Sequence, residues 1–450
     1  MKVIEPATEE VLAEVPEAGV EDADRAVARA KAAFPGWRAV TPGDRAKLMR
    51  RYAAVVADNA ERLAQLEARN VGKPIGDARG EVGMVADVFN YYAGAPERLL
   101  GNTIPVAGGV DMTFREPLGV VALIVPWNFP IAITSWKVGP ALAAGNTIVL
   151  KPAGLTPLTA IELGKLALEA GIPEGVLNVV VGSGRTVGER MVQHPDVAKV
   201  AFTGSTEVGR RIGALAADSI KRVTLELGGK SANIVFADAD IEKAAASAPL
   251  AVFGNAGQDC CARSRILVER SGVDRFMQAL EKAVKALRVG DPLDEKTEMG
   301  PLISADHRAK VAAFLEDGAK VAIRGSAPSG RGYWFAPAVL SPVDPHDRVA
   351  RDEIFGPIVA VIPFEDEADA IRIANDTIYG LSGSIWTTNA GRAMRVARAL
   401  ETGTISINSN NSVRVTTPFG GFKQSGIGRE LGPNALDHYT ELKNVFLSTS

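Results

Sequence analysis

The chain has 450 residues, 46% apolar and 23% charged, with a net charge of −3. That is the composition of a globular protein, and the length calls for two or more domains. The near-neutral balance gives no footing for nucleic acid or an anionic membrane as a partner.

The N-terminal stretch MKVIEPATEEVLAEVPEAG is acidic and reads as neither a secretory leader nor an Arg-rich transit segment. Residues 21–34 and 44–69 have the spacing of amphipathic helices. In the second, Leu48, Tyr52, Val55, Val56, Leu63 and Leu66 recur near helical period. The most apolar long stretch, Gly119 to Ile133, is broken by Pro126, Asn128 and Pro130 and is too short and polar to span a bilayer. From there, short apolar runs alternate with helical segments: Val120–Val125, Thr147–Leu150, Leu177–Val181, Val200–Phe202 and Val223–Leu227. Continuous apolar runs suit strands buried on both faces, and the alternation predicts βαβ units around a parallel sheet. A second set, Ala232–Phe236, Ile266–Val268, Val359–Ile362, Ser382–Trp386 and Thr404–Ile407, predicts a second α/β domain, with helices over Val273–Leu287 and Ala368–Ala374 between. The Gly-rich segment 325–332 reads as a surface turn.

Chemistry concentrates in a few places. The only two cysteines, Cys260 and Cys261, are adjacent, so no bridge between distant segments is expected, and the cytoplasm is the expected compartment. Cys260 follows Gly257-Gln258-Asp259, a loop-like frame rather than an apolar run, which suits a nucleophile more than a core thiol. Glu226, 34 residues earlier in Leu225-Glu226-Leu227-Gly228-Gly229-Lys230, has apolar neighbours that would raise its pKa toward that of a general base; alternatively, it is a strand-end carboxylate paired with a lysine. Asn128 lies in Pro126-Trp127-Asn128-Phe129-Pro130, where flanking prolines fix the backbone. It is either a turn residue or a preorganised amide donor. Gly182-Ser183-Gly184-Arg185-Thr186-Val187-Gly188 misses the dinucleotide fingerprint, because its last glycine comes one residue late. The four histidines, His194, His307, His346 and His438, stand apart from each other and from the cysteines. A zinc site and a Ser-His-Asp triad therefore lack local support, and no metal is expected.

With these frames together, the chain resembles the aldehyde dehydrogenase superfamily nearly end to end. The resemblance implies an α/β fold with a Rossmann-like cofactor domain (1–97 and 118–228), an α/β catalytic domain (229–430) and a small β oligomerisation unit (98–117 and 431–450). It implies Cys260 as nucleophile, Glu226 as base, Asn128 as oxyanion donor, and Lys137 and Glu430 as a proton path around Glu226, with Cys261 a bystander. NAD or NADP would be held by Lys151, Gly184, Gly188, Phe202, Gly204 and Ser205 at the adenine and pyrophosphate end. Glu353 and Phe355 would hold the nicotinamide end, and Ile124, Pro126, Trp127, Val208, Leu227 and Gly228 would line the site. The substrate tunnel would be formed by Phe129, Ile133, Trp136 and Phe419, with Asp259 beside the nucleophile.

Two departures matter. Relatives that prefer NAD usually carry a carboxylate three residues after Lys151. Gly154 stands there, so a 2′-phosphate is not repelled. Asp259 in a Gly-Gln-Asp-Cys frame resembles aminoaldehyde dehydrogenases and would attract a cationic tail; alternatively it pairs with Arg263 or Arg414. Arg414 in turn would favour a carboxylate, so a γ-glutamylated aminoaldehyde would satisfy both. The expected partners are a small aldehyde and further copies of the chain, as a dimer or tetramer. The rival readings are a CoA-acylating dehydrogenase, which generally lacks the Glu226 base, and a crystallin-like scaffold on the same fold.

Overall fold

The structure is a computed structural model that describes residues 1–316, 320–411 and 413–449. Two large sheets dominate it. The first runs in the order 426–427, 222–226, 197–203, 120–124, 147–151, 177–179. It is parallel except for the two-residue edge strand Gly426–Ile427, which pairs antiparallel with Leu225 and Glu226. Val120–Ile124 and Thr147–Lys151 are buried throughout, as strands covered on both faces must be. Successive connections leave Val120–Ile124 in one direction toward 147–151 and in the other toward 197–203, so the crevice for a ligand opens between Ile124 and Thr203.

The second sheet has seven strands, in the order 321–324, 338–340, 358–364, 265–269, 232–235, 382–386, 404–407. Only the 321–324 edge is antiparallel. Its core is separate from the two that flank the first sheet. The hairpin strands Thr103–Val106 and Gly109–Pro117 join Thr440–Ser448 in a third, antiparallel sheet.

Three differences from the sequence expectation have local causes. The stretch 44–69 is two helices, Pro42–Asp58 and Ala60–Val71, because Asn59 leaves helical geometry and its side chain donates to Val55 O at 2.9 Å. The first helix runs over Val20–Ala39, past Pro35, to bury Trp37. The Arg45 guanidinium satisfies carbonyls at its end, donating to Trp37, Arg38 and Val40. Gly426–Ile427, expected with the catalytic domain, edges the cofactor-side sheet instead, which seats it against Glu226.

Candidate active site

The nucleophile loop is built by three consecutive left-handed residues, Asn255 (φ 50°), Ala256 (φ 56°) and Gly257 (φ 71°). Such backbone is costly for Asn and Ala and persists only where surroundings fix it. Here Asn255 Nδ2 donates to Asn128 O (2.9 Å) and Gln258 O (3.3 Å), Gln258 Nε2 donates to Asn255 O (3.0 Å), and Ile303 N donates to Gln258 Oε1 (2.8 Å). A Cβ on Gly257 would lie 2.3 Å from Gly356 O, and one on Gly229 would lie 2.3 Å from Cys260 O. Only glycine lets the Glu226 strand and the cysteine loop close on each other. Asn128 Nδ2 donates to Gln258 O at 2.9 Å, so one amide N–H is fixed to the loop. The network thus ties the Asn128 segment to the turn that carries Cys260.

Cys260 is half-buried and Cys261 buried. The Cys260 thiol is pushed well above its usual pKa by its hydrogen bond with Cys261, by burial and by the charges of Cys261, Asp259 and Glu353. Asp259 does not point its bond at an arginine: its Oδ1 accepts from Cys261 N at 2.8 Å, a local Asx turn. Burial raises the Asp259 carboxyl, while that N–H and the charge of Arg263 oppose the shift. Arg263 donates to Cys261 O (2.5 Å) and Ser384 Oγ (2.8 Å), and Arg414 is exposed and makes no ion pair with Asp259.

Glu226 ends its strand with both carboxylate oxygens buried and, among the described residues, without a hydrogen-bond partner. Burial first, then the charge of Glu430, drives its pKa well above the carboxylate range, against Lys137 and Arg429. No lysine pairs with it directly. The ion pair is Lys137 Nζ to Glu430 Oε1 at 2.6 Å, with both side chains buried. The structure therefore brings together Glu226, Glu430 and Lys137, and separately Cys260, Cys261 and Asp259.

A cavity of about 1120 Å³ opens along the crevice of the first sheet. Every residue expected on the dinucleotide side lines it: Ile124, Pro126, Trp127, Lys151, Gly184, Gly188, Phe202, Gly204, Ser205, Val208, Leu227, Gly228, Glu353 and Phe355. Asn128 and Cys260 line it as well. Ser205 caps the helix Thr206–Ala217, turning that helix N-terminus toward the cavity. The misspaced glycine run has a physical explanation. Gly188 N bonds Ser183 O, five residues back, so one turn of π-helix over Gly184–Gly188 absorbs the extra residue. Lys151 Nζ donates only to carbonyls, Pro152 O (3.0 Å) and Gly182 O (3.5 Å), and burial lowers it to about 8. Glu353 accepts from Gly229 N at 3.0 Å, and burial lifts it to about 7. Gly154 follows the cavity-lining Ala153 but does not itself line the cavity; it faces Met1, whose Sδ lies 3.0 Å from where a Cβ would sit.

Phe129, Ile133, Trp136 and Phe419 share one apolar cluster with both cysteines, and the Trp136 and Phe419 rings meet edge-on at 5.3 Å. Sequence reasoning missed Asn255 and Gln258 as struts of the loop. It also missed His307, whose ring lies 5.4 Å from that of Trp127 and whose Nε2 is 2.7 Å from Phe355 O at the cavity wall. The Asn-Ala-Gly-Gln turn signalled the struts. Nothing in the polar helix around His307 signalled its role.

Fold, cysteine loop and cavity together define a thiol-dependent oxidoreductase site with room for a dinucleotide. The chain matches the Aldehyde dehydrogenase family over residues 1–445 and belongs to it. It is 42% identical over 459 residues to betaine aldehyde dehydrogenase of Bacillus subtilis, covering 99% of this chain and 94% of that one. It is 43% identical over 464 residues to phenylacetaldehyde dehydrogenase of Pseudomonas fluorescens, covering 100% and 92%. The crystal structure of betaine aldehyde dehydrogenase from Staphylococcus aureus in complex with NAD+ superimposes with a TM-score of 0.97 at 40% identity, covering 100% of this chain and 92% of that one. This is an enzyme of the aldehyde-oxidising class with the aldehyde dehydrogenase fold. Among the described residues, no helix is long and apolar enough to cross a membrane.

Proposed function

We propose that the chain oxidises an aldehyde to its carboxylic acid with NAD+ or NADP+ through a thioester on Cys260. The observation that carries this reading is that Cys260 and Asn128, whose amide is anchored on Gln258 O of the cysteine loop, line the same dinucleotide-sized cavity. The donor set fits that group. A helix N-terminus suits the pyrophosphate, a buried lysine amine suits ribose hydroxyls, and Glu353 with Phe355 suits the second ribose and ring. A nicotinamide dinucleotide, when bound, supplies the hydride acceptor. The S. aureus relative with NAD+ supports that cofactor, and Gly154 leaves NADP+ open as well.

In this mechanism the Cys260 thiolate adds to the aldehyde carbon, giving a thiohemiacetal. Asn128 has one amide N–H engaged by Gln258 O, and the other donates, with the backbone N–H of Cys260, to the oxygen that gains charge. Loss of hydride from that carbon leaves the Cys260 thioester. Water attacks it, Glu226 takes the water's proton, and the C–S bond breaks to release acid and thiol. A carboxylate held above its usual range and placed next to the Lys137–Glu430 pair suits that task. The tunnel of Phe129, Ile133, Trp136 and Phe419 would take an apolar segment, and the Asp259 carboxylate beside the thiol favours an ω-amino or γ-glutamylamino aldehyde. The two curated relatives named above carry unlike substrates in their names, one cationic and one aromatic, so kinship supports the class and Asp259 carries the choice. A dimer or tetramer is supported by the third sheet, whose Phe114, Leu442, Phe446 and Leu447 are large exposed apolar side chains.

The test is to incubate the purified protein with 4-aminobutanal, pentanal and phenylacetaldehyde, each with NAD+ and NADP+ and without CoA. Reduced cofactor and free acid in equal amounts are expected. An absolute requirement for CoA, or no turnover with any pair, would overturn the reading.

A further inference from the structure

One buried cation in this region has no part in the mechanism above. Lys199 is fully buried on the strand Val197–Thr203, and among the described residues its hydrogen-bond partner is the Thr224 hydroxyl, to which it donates at 3.1 Å. The parallel register sets Lys199 beside Arg222, Ala201 beside Thr224 and Thr203 beside Glu226. Alternate residues share a face, so Lys199, Thr224 and Glu226 lie on one side of the sheet. On that side Glu226 has two unpartnered oxygens, and Glu430 Oε2, Thr203 Oγ1 and Tyr439 Oη are likewise buried without a partner. The face is polar and short of counter-charge. Two carboxylates share one ion-paired amine, Lys137.

We infer that Lys199 is a positioning residue for the hydrolytic half of the reaction: bonded to Thr224 on the face of the sheet that carries Glu226, it adds positive charge there and keeps Glu226 ionised so that it can take a proton from water. This rests on the water-activating role proposed for Glu226. The groups facing Lys199 are Glu430, which attracts its charge, and Lys137 and Arg222, which repel it. The Tyr439 ring lies 4.8 Å from its Nζ, and His438 stands behind. His438 Nε2 accepts from Arg429 N at 3.1 Å, which holds that ring neutral, so the cations around the two carboxylates are Lys137, Arg429 and Lys199. Burial brings Lys199 down to about 7, so its charge is present across the acid limb and fades above it. Without that cation Glu226 holds its proton to higher pH and is lost as a base there.

The test follows decay of the acyl-enzyme by quenched flow across pH in wild type, Lys199→Met, Lys199→Arg and Thr224→Val. The acid limb of decay should move up by roughly half a pH unit or more in Lys199→Met and stay near wild type in Lys199→Arg. It should move the same way but less in Thr224→Val, which removes the lysine's hydrogen-bond partner. Formation of the acyl-enzyme should not change. An unmoved limb in folded Lys199→Met overturns the inference, as does an equal shift in Lys199→Arg. Should Lys199→Met not fold, an unmoved limb in Thr224→Val does so. Glu226→Gln run alongside separates the two readings. Wild-type decay in that variant defeats the water-activating role itself, whereas slow decay there with an unmoved limb in Lys199→Met defeats only this inference.

Discussion

Replacing Asn128 by alanine separates a strut from a catalytic donor. In the fold, the Asn128 amide makes one hydrogen bond, 2.9 Å to Gln258 O. That carbonyl keeps a second donor, Asn255 Nδ2 at 3.3 Å, so it is not orphaned when Asn128 is truncated. The backbone oxygen of Asn128, which holds Asn255, is untouched. The stability cost is therefore that of one neutral hydrogen bond and a small void, about 1–2 kcal/mol. In the reaction the same truncation removes one of two oxyanion donors, worth roughly 10²–10³ in rate, or about 2.7–4 kcal/mol. Stopped-flow measurement of the first turnover of reduced cofactor should show that loss, while a thermal melt should fall by only about 4 °C or less. A first-turnover rate within about threefold of wild type, with the melt lowered, would reduce Asn128 to a strut and refute the oxyanion argument.

Three other outcomes are expected. Cys261→Ala removes the leading cause of the raised Cys260 pKa, so more thiolate is present at a given pH and the curve of iodoacetamide alkylation rate against pH should shift to lower pH, with dehydrogenase activity retained; coincident curves would contradict this. Gly154→Glu must displace Met1 and should raise the KM for NADP+ while leaving that for NAD+ equal or lower, and an unchanged NADP+ KM would show that position 154 does not face the ribose. Asp259→Ala should shrink the kcat/KM preference for 4-aminobutanal over pentanal by roughly tenfold, about 1.4 kcal/mol; a preference for pentanal in wild type would leave the Asx turn at Cys261 as the sole role of Asp259.

Much of the architecture was legible because parallel strands buried on both faces write themselves as continuous apolar runs. Val120–Ile124 and Thr147–Lys151, buried at every position, fall where the hydrophobicity puts them. Helix ends were less legible: the break at Asn59 rests on its own side chain donating to Val55 O one turn back, and the helix that runs past Pro35 is finished by Arg45 from the next helix. At the site, the family resemblance carried by the motif frames led to the cavity-lining set, but not to its electrostatics. That Asp259 turns to Cys261 N rather than to an arginine, and that Lys137 pairs with Glu430 while Glu226 stays unpaired, depends on loop geometry and on contacts some 200 to 300 residues apart in sequence. The π turn at Gly184–Gly188 is a similar case: the spacing showed a missed fingerprint, and only the backbone shows how the extra residue is absorbed.

The central claim is a thioester on Cys260 that Glu226 helps water to cleave, and intact-protein mass spectrometry tests it most directly. Cys261→Ala protein with and without Glu226→Gln, mixed with NAD+ and excess aldehyde and acid-quenched within one turnover, should carry one acyl group on the peptide containing Cys260, removable by hydroxylamine. That adduct should persist in the Glu226→Gln form and disappear in the form that keeps Glu226. Absence of any adduct while reduced cofactor is formed, or an adduct that decays equally fast in both proteins, would contradict the account.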